Sequence, residues 1–192
     1  MRGARLLLAV ALVSGIACRG DRAATPPSST DRARTVAIPR LPVPGLHHSD
    51  ATLDPASATV GVAHPDDMLA ALHAGGSLGV AERTYAGGHG TFSRVVVRAF
   101  SFGSPQGAAG FLAWLRSHGA DLIGTATPLL EVAVPEGVSL SVHEPSGCCH
   151  REVPGYLAAW QRGLDVWTIQ ASGPMIQTRA VVELVAALDQ EV

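Results

Sequence analysis

Residues 95–115 read "VVVRAFSFGSPQGAAGFLAWL" and residues 165–185 read "DVWTIQASGPMIQTRAVVELV". The two stretches share one order. A run of β-branched and aromatic residues comes first, a Gly/Ser/Pro break follows, and apolar residues then recur at helical spacing. In the first, Ser104-Pro105 caps a helix whose stripe is Ala108, Phe111, Leu112 and Leu115, with Gly119 as its stop. In the second, Gly173-Pro174 opens a helix with the stripe Val181, Val182, Leu184, Val185 and Leu188. The shared order reads either as an internal repeat of β-hairpin plus helix or as the ordinary grammar of an α+β domain.

Working outward, each strand has a hairpin partner. Gly79 to Tyr85 and Phe92 to Phe102 flank Gly87-Gly88-His89-Gly90, and Tyr156 to Gln161 and Leu164 to Ala171 flank Arg162-Gly163. Leu129 to Val134 and Val138 to His143 flank the turn signal Pro135-Glu136-Gly137. Thr59 to Ala63 reads as a short strand. Pro65-Asp66-Asp67 reads as the acidic first turn of a helix that carries Met68, Leu69 and Leu72 and ends at Gly75-Gly76. Tight hairpins impose antiparallel pairing. The expected fold class is therefore α+β: an antiparallel sheet of hairpins with about three helices packed mainly on one face. In element order, residues 60 to 190 are similar to small exported domains of GC-rich bacteria, including the PsbP/Mog1-like class. Trp114, Trp160 and Trp167 lie inside these elements and are expected to pack in the core.

The N-terminus has a different grammar. Met1-Arg2-Gly3-Ala4-Arg5 is a basic start, Leu6 to Val13 is an unbroken apolar run, and Ser14 to Ala17 are mostly small. This is the layout of an export signal. A membrane-spanning helix needs about 20 apolar residues, more than this run supplies. Gly15-Ile16-Ala17-Cys18 resembles the bacterial lipobox, with Gly15 where that family prefers leucine. The resemblance implies cleavage before Cys18, a diacylglyceryl group on its thiol and an acyl chain such as palmitate on the new N-terminus. Residues 1–17 are thus expected to be a lipoprotein signal peptide. Residues 18–44, rich in Pro, Ser, Thr, Ala and Arg, are expected to be a disordered tether. Residues 45–192 are expected to form a single extracytoplasmic domain. His47-His48 falls at the tether junction and reads as solvated polar sequence.

Composition narrows the partners. The 192-residue chain has no lysine and no asparagine, and all 14 of its basic residues are arginine. Both missing residues use AT-rich codons, so the arginine bias reflects a GC-rich genome. From Arg19 to Pro44 there are five arginines and two aspartates; from Gly45 onward there are seven arginines and fourteen acids. A basic stretch beside a lipid anchor suits an anionic membrane surface. An acidic domain argues against nucleic acid, whose phosphates need basic patches.

Three motifs bear on chemistry. "GVAHPDDMLAALHAGG", residues 61–76, resembles the first motif of the LmbE-like zinc deacetylases. That resemblance implies His64 and Asp67 as zinc ligands, Asp66 as general base, a third ligand from His143 or His150, and a doubly wound α/β fold. The chain has Met68 where the family has Glu, and Pro-Asp-Asp also makes an ordinary helix start. Gly75-Gly76-Ser77-Leu78-Gly79 matches the pattern of a serine hydrolase elbow, but in the wrong context, with a helix before and a strand after. Cys148-Cys149-His150 lies between Pro145 and Pro154. Outside the cytoplasm it reads as a vicinal disulfide between Cys148 and Cys149, as free or intermolecular thiols, or as a thiol or metal sensor. The function expected from the whole is a lipid-anchored, non-catalytic domain that binds an envelope ligand or protein, with no cofactor beyond the lipid on Cys18. The alternatives are the zinc hydrolase and the thiol or metal sensor.

Overall fold

The computed structural model describes residues 36–87, 90–122, 126–127, 137–145 and 152–192. At 119–122, 126–127, 138–145 and 152–154 it describes the backbone course alone. Among the described residues seven strands form one sheet: β1 (His47–Leu53), β2 (Ser77–Ala86), β3 (Arg94–Phe102), β4 (Ala126–Thr127), β5 (Val138–Pro145), β6 (Glu152–Arg162) and β7 (Asp165–Ser172). Their order is β1-β2-β3-β7-β6-β5-β4, and every neighbouring pair is antiparallel. Among the described residues three helices accompany them: α1 (Pro65–Ala74), α2 (Pro105–Leu122) and α3 (Thr178–Glu191). The fold is α+β, as the hairpin signals require.

The helices divide between the two faces. α1 and α2 bury Met68, Leu72, Phe111, Leu112 and Leu115 against Val80, Phe100, Phe102, Leu157, Ala159 and Val166. α3 buries Val181, Leu184, Val185 and Leu188 against Val95, Val97, Ala99, Ala158, Trp160, Trp167 and Ile169. Successive strand residues point to opposite faces. Two helices therefore share one face, and α3 lies on the other. The central strands β3 and β7 are covered on both sides, which is why they lack an alternating pattern. The two hairpin-plus-helix units match in sequence order, yet their helices sit on opposite faces. A two-fold axis normal to the sheet does not relate them.

Local chemistry accounts for several departures from expectation. Thr59–Ala63 is not a strand. The Asp54 carboxylate accepts the Ser57 N–H at 2.6 Å and the Thr59 hydroxyl donates to Ala56 O at 2.8 Å, closing a 3-10 turn over Ser57–Thr59. Gly119 does not stop α2, which runs on to Leu122. Gly173-Pro174 does not open α3, because residues 173 to 177 form a turn first, with Ile176 N–H on Gly173 O. α1 begins as read, with Pro65 in its first turn and Asp66 and Asp67 complementing the helix dipole. The expected strand Leu129–Val134 lies outside the described residues.

The N-terminal boundary also moves. The tether expected over 18–44 does not extend to its stated end, because Ile38, Leu41 and Val43 are buried in the α3-side core. The Leu41 N–H donates to the Tyr85 hydroxyl at 2.9 Å, and Arg83 Nη1 donates to Ile38 O at 2.7 Å. His47-His48, read as solvated polar sequence at the tether junction, begin the edge strand β1, in register with β2 from His47–Ala86 to Leu53–Val80.

Candidate functional site

The residues singled out by motif do not assemble. His64 precedes α1 as its N-cap, with no side-chain cap hydrogen bond, and His64, Asp66 and Asp67 are all exposed at that helix start. Among the described residues no group of three His, Cys, Asp or Glu side chains could hold a metal ion. The segment before the motif is a turn rather than a strand, and the sheet is wholly antiparallel. Both findings overturn the doubly wound fold that the zinc-deacetylase resemblance implies. His143 lies on β5, whereas Cys18, Cys148, Cys149 and His150 lie outside the described residues. Ser77, the centre of the elbow-like pattern, begins β2 with its hydroxyl buried and unpartnered.

A different cluster emerges from strand register. Glu82 pairs with Arg98 across β2 and β3, and Arg98 pairs with Thr168 across β3 and β7. Directly opposed residues share a face and sit close together. Alternation from Val80 and Phe100 places the row on the α1/α2 face. The row below it, Val80–Phe100–Val166, is wholly apolar. Thr84 and Gln170 flank it in the row above, on either side of Val96. Arg98 Nε donates to Glu82 Oε2 at 2.7 Å, and the Thr84 hydroxyl donates to Glu82 Oε1 at 3.2 Å. The Arg98 and Glu82 side chains are 21% and 18% exposed. Thr168 is only 6% exposed.

An ion pair of this kind contributes little to stability, because desolvation offsets the Coulomb attraction and apolar residues would serve the fold as well. Packing therefore does not explain why the centre of the sheet carries a carboxylate and a guanidinium in one row with the Thr168 hydroxyl. The row was not legible from spacing, because its members come from strands whose register is set by the fold. The one available signal was Arg98, the lone charge inside an otherwise apolar run that is buried on both faces.

Several other charged contacts fasten elements together. Arg83 holds both Asp50 oxygens, at 2.5 and 2.8 Å, and fastens the N-terminal segment through Ile38 O. The hydrogen bond from Arg83 holds the Asp50 carboxyl below the usual carboxylate range. Arg162 ties the β6–β7 turn to Asp189 of α3. The Ser101 hydroxyl donates to buried Asp165 at 2.7 Å across β3 and β7. Along α2, the rings of Phe111, Trp114 and His118 stack in series, and Phe111 also meets Phe100 and Phe102.

No family model matches the chain, and no curated protein matches it. Among solved structures it is similar to the crystal structure of the extracellular domain of PknH from Mycobacterium tuberculosis, with a TM-score of 0.52 and 10% sequence identity. The similarity covers 76% of this chain and 86% of that one. At this identity the likeness establishes a shared fold.

Proposed function

We propose that the chain is an exported lipoprotein, held to the membrane through Cys18, whose extracytoplasmic domain binds an envelope ligand or partner without catalysing a reaction. The observation that carries this reading is the pairing of two features. An apolar run ends in Gly15-Ile16-Ala17-Cys18, and the domain beyond it has a fold shared with an extracellular domain. Two or three acyl chains on Cys18 would anchor the protein stably, where one would hold it only reversibly. The arginines at 19, 22, 32 and 34 would lie beside anionic headgroups. The Glu82–Arg98–Thr168 row supports binding, since it offers hydrogen-bonding capacity that packing does not explain.

The test is fractionation of cells expressing the full chain and Cys18→Ser, with metabolic labelling by palmitate. The expected result is label and membrane association for the parent, and loss of both, or blocked processing, for the variant. An unlabelled parent, or a variant that stays in the membrane fraction unchanged, overturns the lipoprotein reading.

A further inference from the structure

We infer that the open edge of the sheet docks a second copy of this chain, β1 pairing antiparallel with the partner's β1 about a two-fold axis through Ser49. The contact goes beyond the proposed function. Only the argument from the membrane, given last, rests on that reading.

The first observation is that the edge is open. β1 ends the strand order, and six of its seven residues are exposed. Among the described residues, no backbone hydrogen bond reaches it except those of its ladder with β2. An exposed edge presents unpaired N–H and C=O groups, and folds commonly blunt it with proline, lysine or a bulge. β1 has none of these. Its register with β2 runs unbroken from His47 to Leu53, it holds no proline, and the chain has no lysine. Its one acid, Asp50, is already held through both carboxylate oxygens by Arg83.

The second is that the strand complements itself. Directly opposed residues of an antiparallel ladder share a face. A two-fold axis normal to the sheet must therefore pass through a residue that opposes its own copy. With the axis at Ser49, His48 opposes the partner's Asp50, and Asp50 opposes the partner's His48. Two reciprocal imidazole–carboxylate pairs result. With the axis at Asp50, two carboxylates would meet. With the axis at Ala51, Asp50 would meet only Thr52. Both groups are placed for the contact. His48 and Asp50 share the α3 face, opposite Tyr85 and Arg83. There the His48 ring centre lies 5.8 Å from that of Tyr85, and the Asp50 side chain stays 56% exposed.

The third is where the chain enters. Val36, Ile38, Leu41 and Val43 lie against the α3-side core. An axis normal to the sheet turns both α3 faces the same way, so both chains enter from one side. Two copies anchored through Cys18 to one membrane need that geometry. An edge-to-edge contact is small beside the roughly 1,200–2,000 Å² of a stable interface. Confinement to a surface supplies the local concentration that it needs.

The experiment is cysteine cross-linking of the full-length chain, purified, concentrated and mildly oxidised. Opposed Cα atoms stand about 4.5–5.5 Å apart, within disulfide reach. In this register the two copies of Thr52 would lie about 20 Å apart along the strand. Ser49→Cys should give a covalent dimer bonded through position 49 in both chains, located by mass spectrometry, in at least about ten-fold higher yield than Thr52→Cys. Adding His48→Glu sets like charges against each other and should cut that yield about ten-fold, at an unchanged melting midpoint. The inference is overturned by equal yields from positions 49 and 52, by bonds from position 49 mainly to Cys148 or Cys149, or by a yield that His48→Glu leaves unchanged. The purified chain reports the contact whether or not Cys18 is acylated, and the Cys18 fractionation reports the anchor whether or not copies pair, so the two failures are separable.

Discussion

The backbone N–H of Leu41 and the hydroxyl of Tyr85 form a buried hydrogen bond of 2.9 Å between residues 44 positions apart. It fastens a proline-broken segment to the sheet. Around it, Ile38, Leu41 and Val43 cover apolar surface, and Arg83 holds the segment from the side. Tyr85→Phe leaves the Leu41 N–H buried and unpaired, at a cost of about 1–3 kcal/mol. A fragment starting at residue 45 should be less stable than one starting at residue 36 by roughly 2–4 kcal/mol, similar to truncating a large core side chain. Urea unfolding of the two fragments and of the substituted longer one measures both effects. Equal midpoints for the two fragments would show that the segment adds nothing.

Acid should loosen the same corner. Hydrogen bonding from Arg83 lowers the Asp50 pKa; desolvation opposes it, and the Arg83 charge adds to the lowering. A carboxylate with a depressed folded-state pKa stabilises the fold fully above its unfolded value, about 3.9, and loses that contribution as pH falls through the folded value. Stability should therefore fall below about pH 4 partly through this pair. The share is small, since the Asp50 side chain is 56% exposed and solvent screens it. Asp50→Asn should flatten that part of the curve, as read by unfolding midpoints from pH 6 down to pH 3.

Two glycines of α2 should respond oppositely to alanine. A Cβ on Gly107 would clash with Gly75 O, where the end of α1 meets the start of α2, so Gly107→Ala must push the helices apart. A Cβ on Gly110 would meet nothing within 4 Å, on the exposed side of the same helix. Gly107→Ala should cost about 1–3 kcal/mol, as overpacking does. Gly110→Ala should stabilise by about 0.4–1 kcal/mol by narrowing the unfolded ensemble. Thermal melts of the two variants decide the signs.

The adjacent cysteines carry an expectation from sequence alone. In an oxidising compartment, Cys148 and Cys149 should be bonded to each other in the exported monomer. A bond between neighbours closes almost no chain, so it should add little stability through loop entropy. Mass measurement after alkylation without reductant should find neither thiol labelled. Two labelled thiols in the freshly exported monomer would exclude the bond.

The hairpins β2–β3 and β6–β7 and the start of α1 were legible because each is written locally, in β-branched runs, glycine turns and an acidic Pro-led turn. What was missed depends on distant partners. β1 has no apolar alternation, since none of its residues is buried, and it is a strand only because β2 offers a ladder. Ile38, Leu41 and Val43 sit between prolines and read as linker, although their spacing sets apolar side chains between rigid steps. The division of helices between faces was written in the unbroken runs of β3 and β7, which signal cover on both sides. The Glu82–Arg98–Thr168 row needs two registers at once, one of them across the β3–β7 junction, and no local pattern supplies that.

That junction governs how the chain reaches its fold as well as what it displays. Each hairpin closes over a short loop and can form early, whereas β3 and β7 join residues at least 64 positions apart in sequence, the nearest pair being Ser101 and Asp165. Chain-closure entropy must be overcome before those contacts return any energy, which makes β3–β7 docking the natural rate-limiting event. Weakening the junction, as with Val97→Ala or Ile169→Ala, should slow refolding. Weakening the outer β1 edge should mainly quicken unfolding. The strand that places Arg98 beside Thr168 is thus also the one on which the kinetics of folding turn.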